Sequence, residues 1–238
     1  MPLYTMNNYL LPQHLIHELH QLCAKFWWGG TDEKRGMHWR AWDALCKPKV
    51  EGGMGFRHLF AFNLAMLAKQ GWRIIQKPDS LPARLLKAIY FPNSNFWEAD
   101  LGSSPSYAWR SILAGRDILR CGIVRQIGDG THTNIWDDPW LKDVDLSIFK
   151  THRVSMVSEL FLQPGIWNEA LLRELFPEHI VQQILSLPIS SRFHTDRWIW
   201  GADKQGKFTV KSAYHVARKR VLQADDSPNP SSLLWNKI

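Results

Sequence analysis

Three histidines recur at three-residue spacing, His14, His17 and His20, and Cys23 follows at the same interval. On a helix, residues three and four apart share a face, so imidazoles and a thiol so placed are candidate zinc ligands. The apolar stripe around them, Leu15, Leu19, Leu22 and Phe26, widened by Ile16, Cys23 and Trp27, argues instead for core packing of Cys23, and no metal site is expected. A second candidate is the pair Asp137 and Asp138 near His132, residue types that serve metal-assisted phosphoryl chemistry. Adjacent carboxylates point apart unless the backbone is tight, and Asp-Pro after a strand is ordinary turn chemistry. Gly128-Asp129-Gly130 lacks the Gly-Lys-Ser/Thr of a phosphate loop. No Ser, His and acid set has a nucleophile-elbow setting. No catalytic residue, metal ligand or cofactor site is assigned.

What remains is a mixture of cations and aromatics. Arg35, Arg40, Lys47, Lys49, Arg57, Lys69 and Arg73 run through a stretch that also holds Trp27, Trp28, Trp39, Trp42 and Trp72. Long cations contact phosphates and solvent-reachable rings stack on bases, so this is the candidate nucleic-acid contact. The competing role for the same rings, and for Trp109, Trp136, Trp198 and Trp200, is structural, because a small helical domain builds its core from such residues.

The elements that must position these residues are mainly helical. Pro12 starts a helix that Gly29-Gly30 ends, and Trp39, Trp42 and Leu45 suggest a short one halted by Pro48. Gly52, Gly53 and Gly55 make an irregular connector. The spacing of Phe60, Leu64, Leu67, Ala68, Gly71, Trp72 and Ile75 predicts the clearest helix, followed by one capped at Ser80 and one capped at Ser106. Residues 123–127 and 131–136, around Asp-Gly, read as a β-hairpin. Trp167 to Phe176 and Glu178 to Leu185 read as helices, residues 196–200 and 206–210 as a second hairpin, and Ser212 to Leu222 as a basic helix. The expected class is mainly α with two small β-hairpins, an irregular helical connector and no large sheet. A weak pattern between Asp143 and His152 places the internal boundary there, giving segments 1–142 and 153–222, with 223–238 as a hinge and the start of a further element.

Composition narrows the class further. Apolar residues make up 45% of the 238, with 13 Trp and 11 Phe, which is the content of a folded chain and not a disordered one. The net charge of +7 is unevenly spread, +6 over residues 31–90, −4 over 121–180 and +5 over 181–238. Two basic regions around an acidic one permit a polyanion on one face without requiring it. Three cysteines at wide spacing point to a reducing compartment, nuclear or cytoplasmic. No apolar run approaches the roughly 20 residues that span a bilayer, and the N-terminus has no secretory pattern, so no membrane partner is expected.

Five stretches, LPQHLIHELHQLCAKFWWGG, HWRAWDALCKPKVEGGMGFRHLFAFNLAMLAKQGWRIIQKPDSLPARLLKAIYFPNSNF, SYAWRSILAGRDILRCG, VRQIGDGTHTNIWDDPWL and DRWIWGADKQGKFTVKSAYHVAR, resemble, in order, the downstream part of the plant LINE-type (non-LTR) retrotransposon polyprotein. Its members often carry a ribonuclease H label. The resemblance covers nearly the whole chain. It implies that residues 1–142 are a thumb-like helical and connector region of an RNA-directed DNA polymerase, and that 153–222 precede a Cys/His zinc-binding segment starting within 223–238. It also implies that the polymerase aspartates lie before residue 1 and the zinc ligands after residue 238. On that basis the chain is expected to be a non-catalytic fragment with weak RNA or DNA contact, packing in the parent against the palm and zinc-binding segments. A degenerate remnant without binding activity and a free-standing nucleic-acid-binding module are the alternatives.

Overall fold

One helix is apolar almost all the way round, and the first half of the chain is built on it. The computed structural model describes residues 3–29, 37–142, 144–151, 153–189 and 194–225. In chain order the elements are α1 (Leu3–Asn8), α2 (Gln13–Trp27), α3 (Trp42–Cys46), α4 (Leu59–Gln76), α5 (Leu81–Tyr90), α6 (Tyr107–Arg120), β1 (Ile123–Gln126), β2 (Phe161–Gln163), β3 (Ile166–Trp167), α7 (Glu169–Leu175), α8 (Glu178–Leu185), β4 (Arg197–Trp200) and α9 (Val210–Asp225). Short 3-10 turns cover Lys49–Glu51, Leu146–Phe149 and Val157–Leu160. The expected class is observed: helices dominate, with two small antiparallel two-stranded sheets among the described residues. The chain divides into two units, one formed by residues up to Cys121 together with those from Phe208 onward, the other by Gly122–Lys207. The 143–152 stretch lies inside the second unit.

In the first unit α4 buries eleven residues, from Leu59 to Ile74, because α1, α2, α6 and α9 pack around it. Gly115 of α6 permits the closest crossing, since a Cβ there would sit 2.5 Å from the Ala68 nitrogen. Asn63 is fully buried on α4, and its carboxamide accepts from Leu11 N–H at 2.8 Å and donates to the Met6 and Tyr9 carbonyls. Ser111 of α6 accepts from Leu10 N–H, so two buried polar side chains fix the α1–α2 turn. α9 packs on α4, its Ala213 and Ala217 are fully buried, and Tyr214 Oη accepts the His58 N–H.

One sequence expectation is corrected here. The apolar stripe of α2 does not face the core: Leu15, Leu22 and Phe26 are exposed, while Ile16, His20 and Ala24 are buried. The buried face includes a polar contact, the His20 ring accepting a backbone N–H of α4. Likewise α5 buries Ala83 and leaves Leu81, Leu85 and Ile89 outward.

In the second unit neither expected hairpin forms. β1 pairs antiparallel with β4, from Ile123 opposite Trp200 to Gln126 opposite Arg197. Residues 131–136 form turns with an isolated Asn134–Met156 bridge, and residues 206–209 form no strand before α9 begins. Asp196, described below, accepts the Gly128, Gly130 and His132 N–H groups of the Asp-Gly loop. A hairpin does form at 161–167, where Gly165 has φ +82° between β2 and β3. Trp136, Trp140, Leu160, Leu172, Phe176 and Ile184 are central to the core of this unit. The indole N–H groups of Trp136 and Trp140 donate to the Val154 and Ile135 carbonyls.

Candidate nucleic-acid interface

Residues 40–56, in the connector between α2 and α4, fold tightly on themselves. Arg40 Nη1 donates to the Gly52 carbonyl at 2.5 Å, and Gly52 holds φ +78° after the 3-10 turn. A Cβ at Gly53 would fall 2.0 Å from the Lys47 carbonyl oxygen, so glycine is required there for backbone to pass backbone. Met54 and Phe56 N–H both donate to the Leu45 carbonyl. Phe56 stacks on Trp42 at 5.1 Å and meets Trp27 edge-on at 4.7 Å, which ties the connector to the end of α2.

Of the seven candidate cations, Arg35 lies outside the described residues. Arg40, Lys47 and Lys49 lie on the folded connector, where Arg40 is held on the Gly52 carbonyl, and Arg57 lies at its exit. Arg57 lies over the Phe62 ring at 4.3 Å. Lys69 and Arg73 are exposed roughly 15 Å and more further along α4, where Arg73 donates to Gln70. They do not join the group. A contribution missed from the sequence is Arg218 of α9, whose charge, with that of Arg57, acts on Tyr214. The basic pattern of residues 211–220 was readable, but its docking beside the connector was not.

The aromatics divide by placement. Trp109, Trp136 and Trp200 are buried, and Trp28, Trp42, Trp72 and Trp198 are partly buried. Trp72 stacks on Phe208, and Arg125 lies over Trp198. Trp27 is 45% exposed, and Trp39 is 76% exposed, so Trp39 does not fill the structural role expected of it.

A group absent from the sequence reading lies beneath the connector. His20 Nδ1 is 3.8 Å and His58 Nε2 3.6 Å from the same Asp43 oxygen, a set close enough to hold a metal ion. The outer nitrogens decide against that. His20 Nε2 accepts from Leu59 N–H at 3.2 Å, and His58 Nδ1 accepts from Ala61 N–H at 3.3 Å. A ligating neutral imidazole carries its proton on the outer nitrogen and donates it, which would here set N–H against N–H. The rings instead turn their N–H groups toward Asp43. Burial, then the neighbouring His58, lowers the His20 pKa to about 4, so it is neutral at pH 7. His14 and His17 are exposed and do not join it. Burial, then Asp43 and Cys23, pushes the Cys46 thiol up to about 12, far from thiolate nucleophilicity.

The acidic candidates of the second unit are structural. Asp137 pairs with Lys150 at 3.1 Å, while Asp138 accepts from Asn134 N–H and is pushed above the usual carboxylate range by burial. His132 gives its backbone N–H to Asp196. Asp196 also accepts from Gly128 and Gly130 N–H at 2.6 and 2.9 Å and from the Thr133 hydroxyl at 2.6 Å. Burial opposes its ionisation, but these four donors outweigh it and hold the carboxyl below the usual range. With its lone pairs so occupied, Asp196 is not placed for acid–base work.

An uncharacterized mitochondrial protein of Arabidopsis thaliana is 47% identical over 144 residues, 60% of this chain and 94% of that protein. The chain belongs to the family of that plant protein. A second A. thaliana relative, named "Putative ribonuclease H protein", is 32% identical along 97% of the chain. The chain spans only 38% of the length of this second relative. No protein-family model matches the chain, and no solved structure does. No described helix is long and apolar enough to cross a membrane.

Proposed function

We propose that this member of the plant family is a non-catalytic segment of a LINE-type retrotransposon reverse transcriptase polyprotein, running from the thumb and connector to the start of the zinc-binding segment. Its connector supplies weak, sequence-independent contact to template RNA or DNA, and the rest packs against the polymerase. The five ordered stretches support the family reading. So does similarity along 97% of the chain to a much longer relative with ribonuclease H in its name. The segment 226–238, where the zinc-binding portion would begin, lies outside the described residues. The observation that carries the binding role is the connector braced by Arg40 on Gly52, which also bears Lys47 and Lys49 and ends at Arg57.

Each phosphate neutralised by such a cation releases counterions, so affinity for RNA or duplex DNA falls steeply as salt rises. Joint replacement of Lys47, Lys49 and Arg57 by alanine weakens binding about equally across sequences, because no base-reading element accompanies them. Flat, negligible binding by wild type and triple variant at every salt concentration would refute this role. It would favour a second reading, a remnant without binding activity, which draws support from Arg40, Arg57 and Arg73 already having partners in their own chain. The purified chain is expected not to extend a primer with any divalent metal, and extension that survives removal of contaminants overturns the non-catalytic part.

A further inference from the structure

Among the described residues of the connector Met37, Trp39, Val50 and Met54 are exposed, and two of these adjoin cations. Trp39 adjoins Arg40 and is 76% exposed, while Val50, next to Lys49, is 94% exposed. Among the described residues the Trp39 ring has no stacking partner, unlike Trp42, which lies against Phe56. Yet Trp39 is not on a loose segment, since the guanidinium of the following residue is anchored on the Gly52 carbonyl across the connector. The indole is therefore presented from a braced backbone into solvent, with Lys47 and Lys49 on the same fold. Among the described residues of the connector the acids are Glu51, which is exposed, and Asp43, which is turned toward His20 and His58.

We propose that Trp39 is a base-stacking platform that makes this connector a single-strand binder, in which an unpaired base lies on the indole and the flanking phosphates meet Arg40, Lys47 and Lys49. This rests on the polyanion-binding reading above and adds the class of nucleic acid to it. An exposed flat ring gains from a base only when the base is unstacked, as in a single strand. Duplex grooves are entered by a helix or a two-stranded ribbon, and the connector offers a five-residue α3 and a three-residue 3-10 turn. A protein partner would also cover Trp39, but the surrounding charge is predominantly basic and favours a polyanion.

The test is fluorescence anisotropy with end-labelled oligo(dT), oligo(rU) and a duplex of equal length, using the full chain, Trp39→Leu, Trp39→Phe and the Lys47/Lys49/Arg57 alanine triple. Trp39 is a surface position, so circular dichroism and urea midpoints of its variants should match wild type. Single strands are expected to bind more tightly than duplex, with the dT and rU arms showing whether ribose matters. Trp39→Leu lowers single-strand affinity on the order of tenfold with an unchanged salt slope, and Trp39→Phe restores most of it. The alanine triple reduces the salt slope instead. Equal affinity of Trp39→Leu and wild type, or of single strand and duplex, overturns the platform while leaving the cation reading in place. Absence of binding to all three probes by wild type overturns both. Equivalent loss in Trp39→Phe and Trp39→Leu also overturns it, because stacking requires only a ring.

Discussion

His20 and Asp196 show how differently two buried titratable groups support this fold. His20 is neutral and accepts from α4, so protonating it costs both the Leu59 hydrogen bond and desolvation. Its folded pKa of about 4 lies below the ordinary 6.5. Above pH 6.5 neither state carries the proton and stability is full. Between 6.5 and 4 the unfolded chain binds a proton that the folded one refuses, so stability falls with pH, by up to roughly 3 kcal/mol. Urea midpoints followed from pH 7.5 downward should fall less steeply in His20→Gln, which keeps a neutral acceptor, and parallel profiles would contradict the assignment. Asp196 has the opposite sign. Its pKa is depressed, so its contribution is complete above the usual carboxylate range and disappears only as pH falls below it. Asp196→Ala leaves three backbone N–H groups and the Thr133 hydroxyl without their acceptor. The expected loss is at least about 3 kcal/mol, read as faster amide exchange confined to residues 122–207. Neither role was legible in the sequence. His20 was grouped with His14 and His17 by spacing, yet its partners, Asp43 and Leu59, lie 23 and 39 residues away. Asp196 is one carboxylate before a strand until the Gly128–Thr133 loop closes round it.

Among the elements, those whose own periodicity decides them were legible: α4, α6, α7 and α8 fall where spacing and caps place them, and Ser106 accepts from Trp109 N–H as an N-cap should. Ser80 sits at the start of α5, but its hydroxyl donates back to the Lys77 carbonyl instead of capping. What periodicity could not give was partner choice. An apolar stripe states that a face is apolar, not that anything covers it, which is why Leu22 and Phe26 of α2 and Leu85 of α5 are exposed. Strand pairing failed for the same reason, since β4 rather than the local return segment supplies the partner of β1. The α4–α6 contact offers a test of how closely helices are required to approach. A Cβ at Gly115 meets backbone atoms, Ala68 N at 2.5 Å and Leu67 C at 2.6 Å, whereas one at Gly71 meets side-chain ends, Leu119 Cδ1 at 2.8 Å and Phe96 Cζ at 3.0 Å. Alanine gains helix propensity at both sites by about the same amount. Gly115→Ala should therefore cost roughly 1–3 kcal/mol net and clearly more than Gly71→Ala, in urea denaturation. Equal costs would mean that α6 shifts freely along α4.

The chain as a whole is not two consecutive domains. Residues 122–207 interrupt a helical unit that resumes at Phe208, so the last helix completes a core laid down by the first half. Local composition gave no sign of this, because α9 is basic and of weak amphipathic contrast, and its fully buried residues, Ala213 and Ala217, are small. Small buried side chains such as these let a helix backbone approach its neighbour closely, and Tyr214 reaches the His58 N–H that begins α4. A chain ending at residue 207 would keep every described strand and every described helix but α9, and by sequence order alone should lose little. By the observed topology it exposes one side of α4, leaves the His58 amide without its acceptor and leaves Trp72 without Phe208. Truncation at 207 is thus expected to abolish cooperative unfolding of residues 3–121 while amide protection in 122–207 persists, as measured by hydrogen exchange. Supplying residues 208–225 as a separate peptide should restore protection to α4 first, since that is the surface it covers. If the truncated chain retained wild-type protection throughout α4, the discontinuous core would be an incorrect description of what stabilises the molecule, and the connector's brace of Arg40 on Gly52 would have to hold the helices unaided.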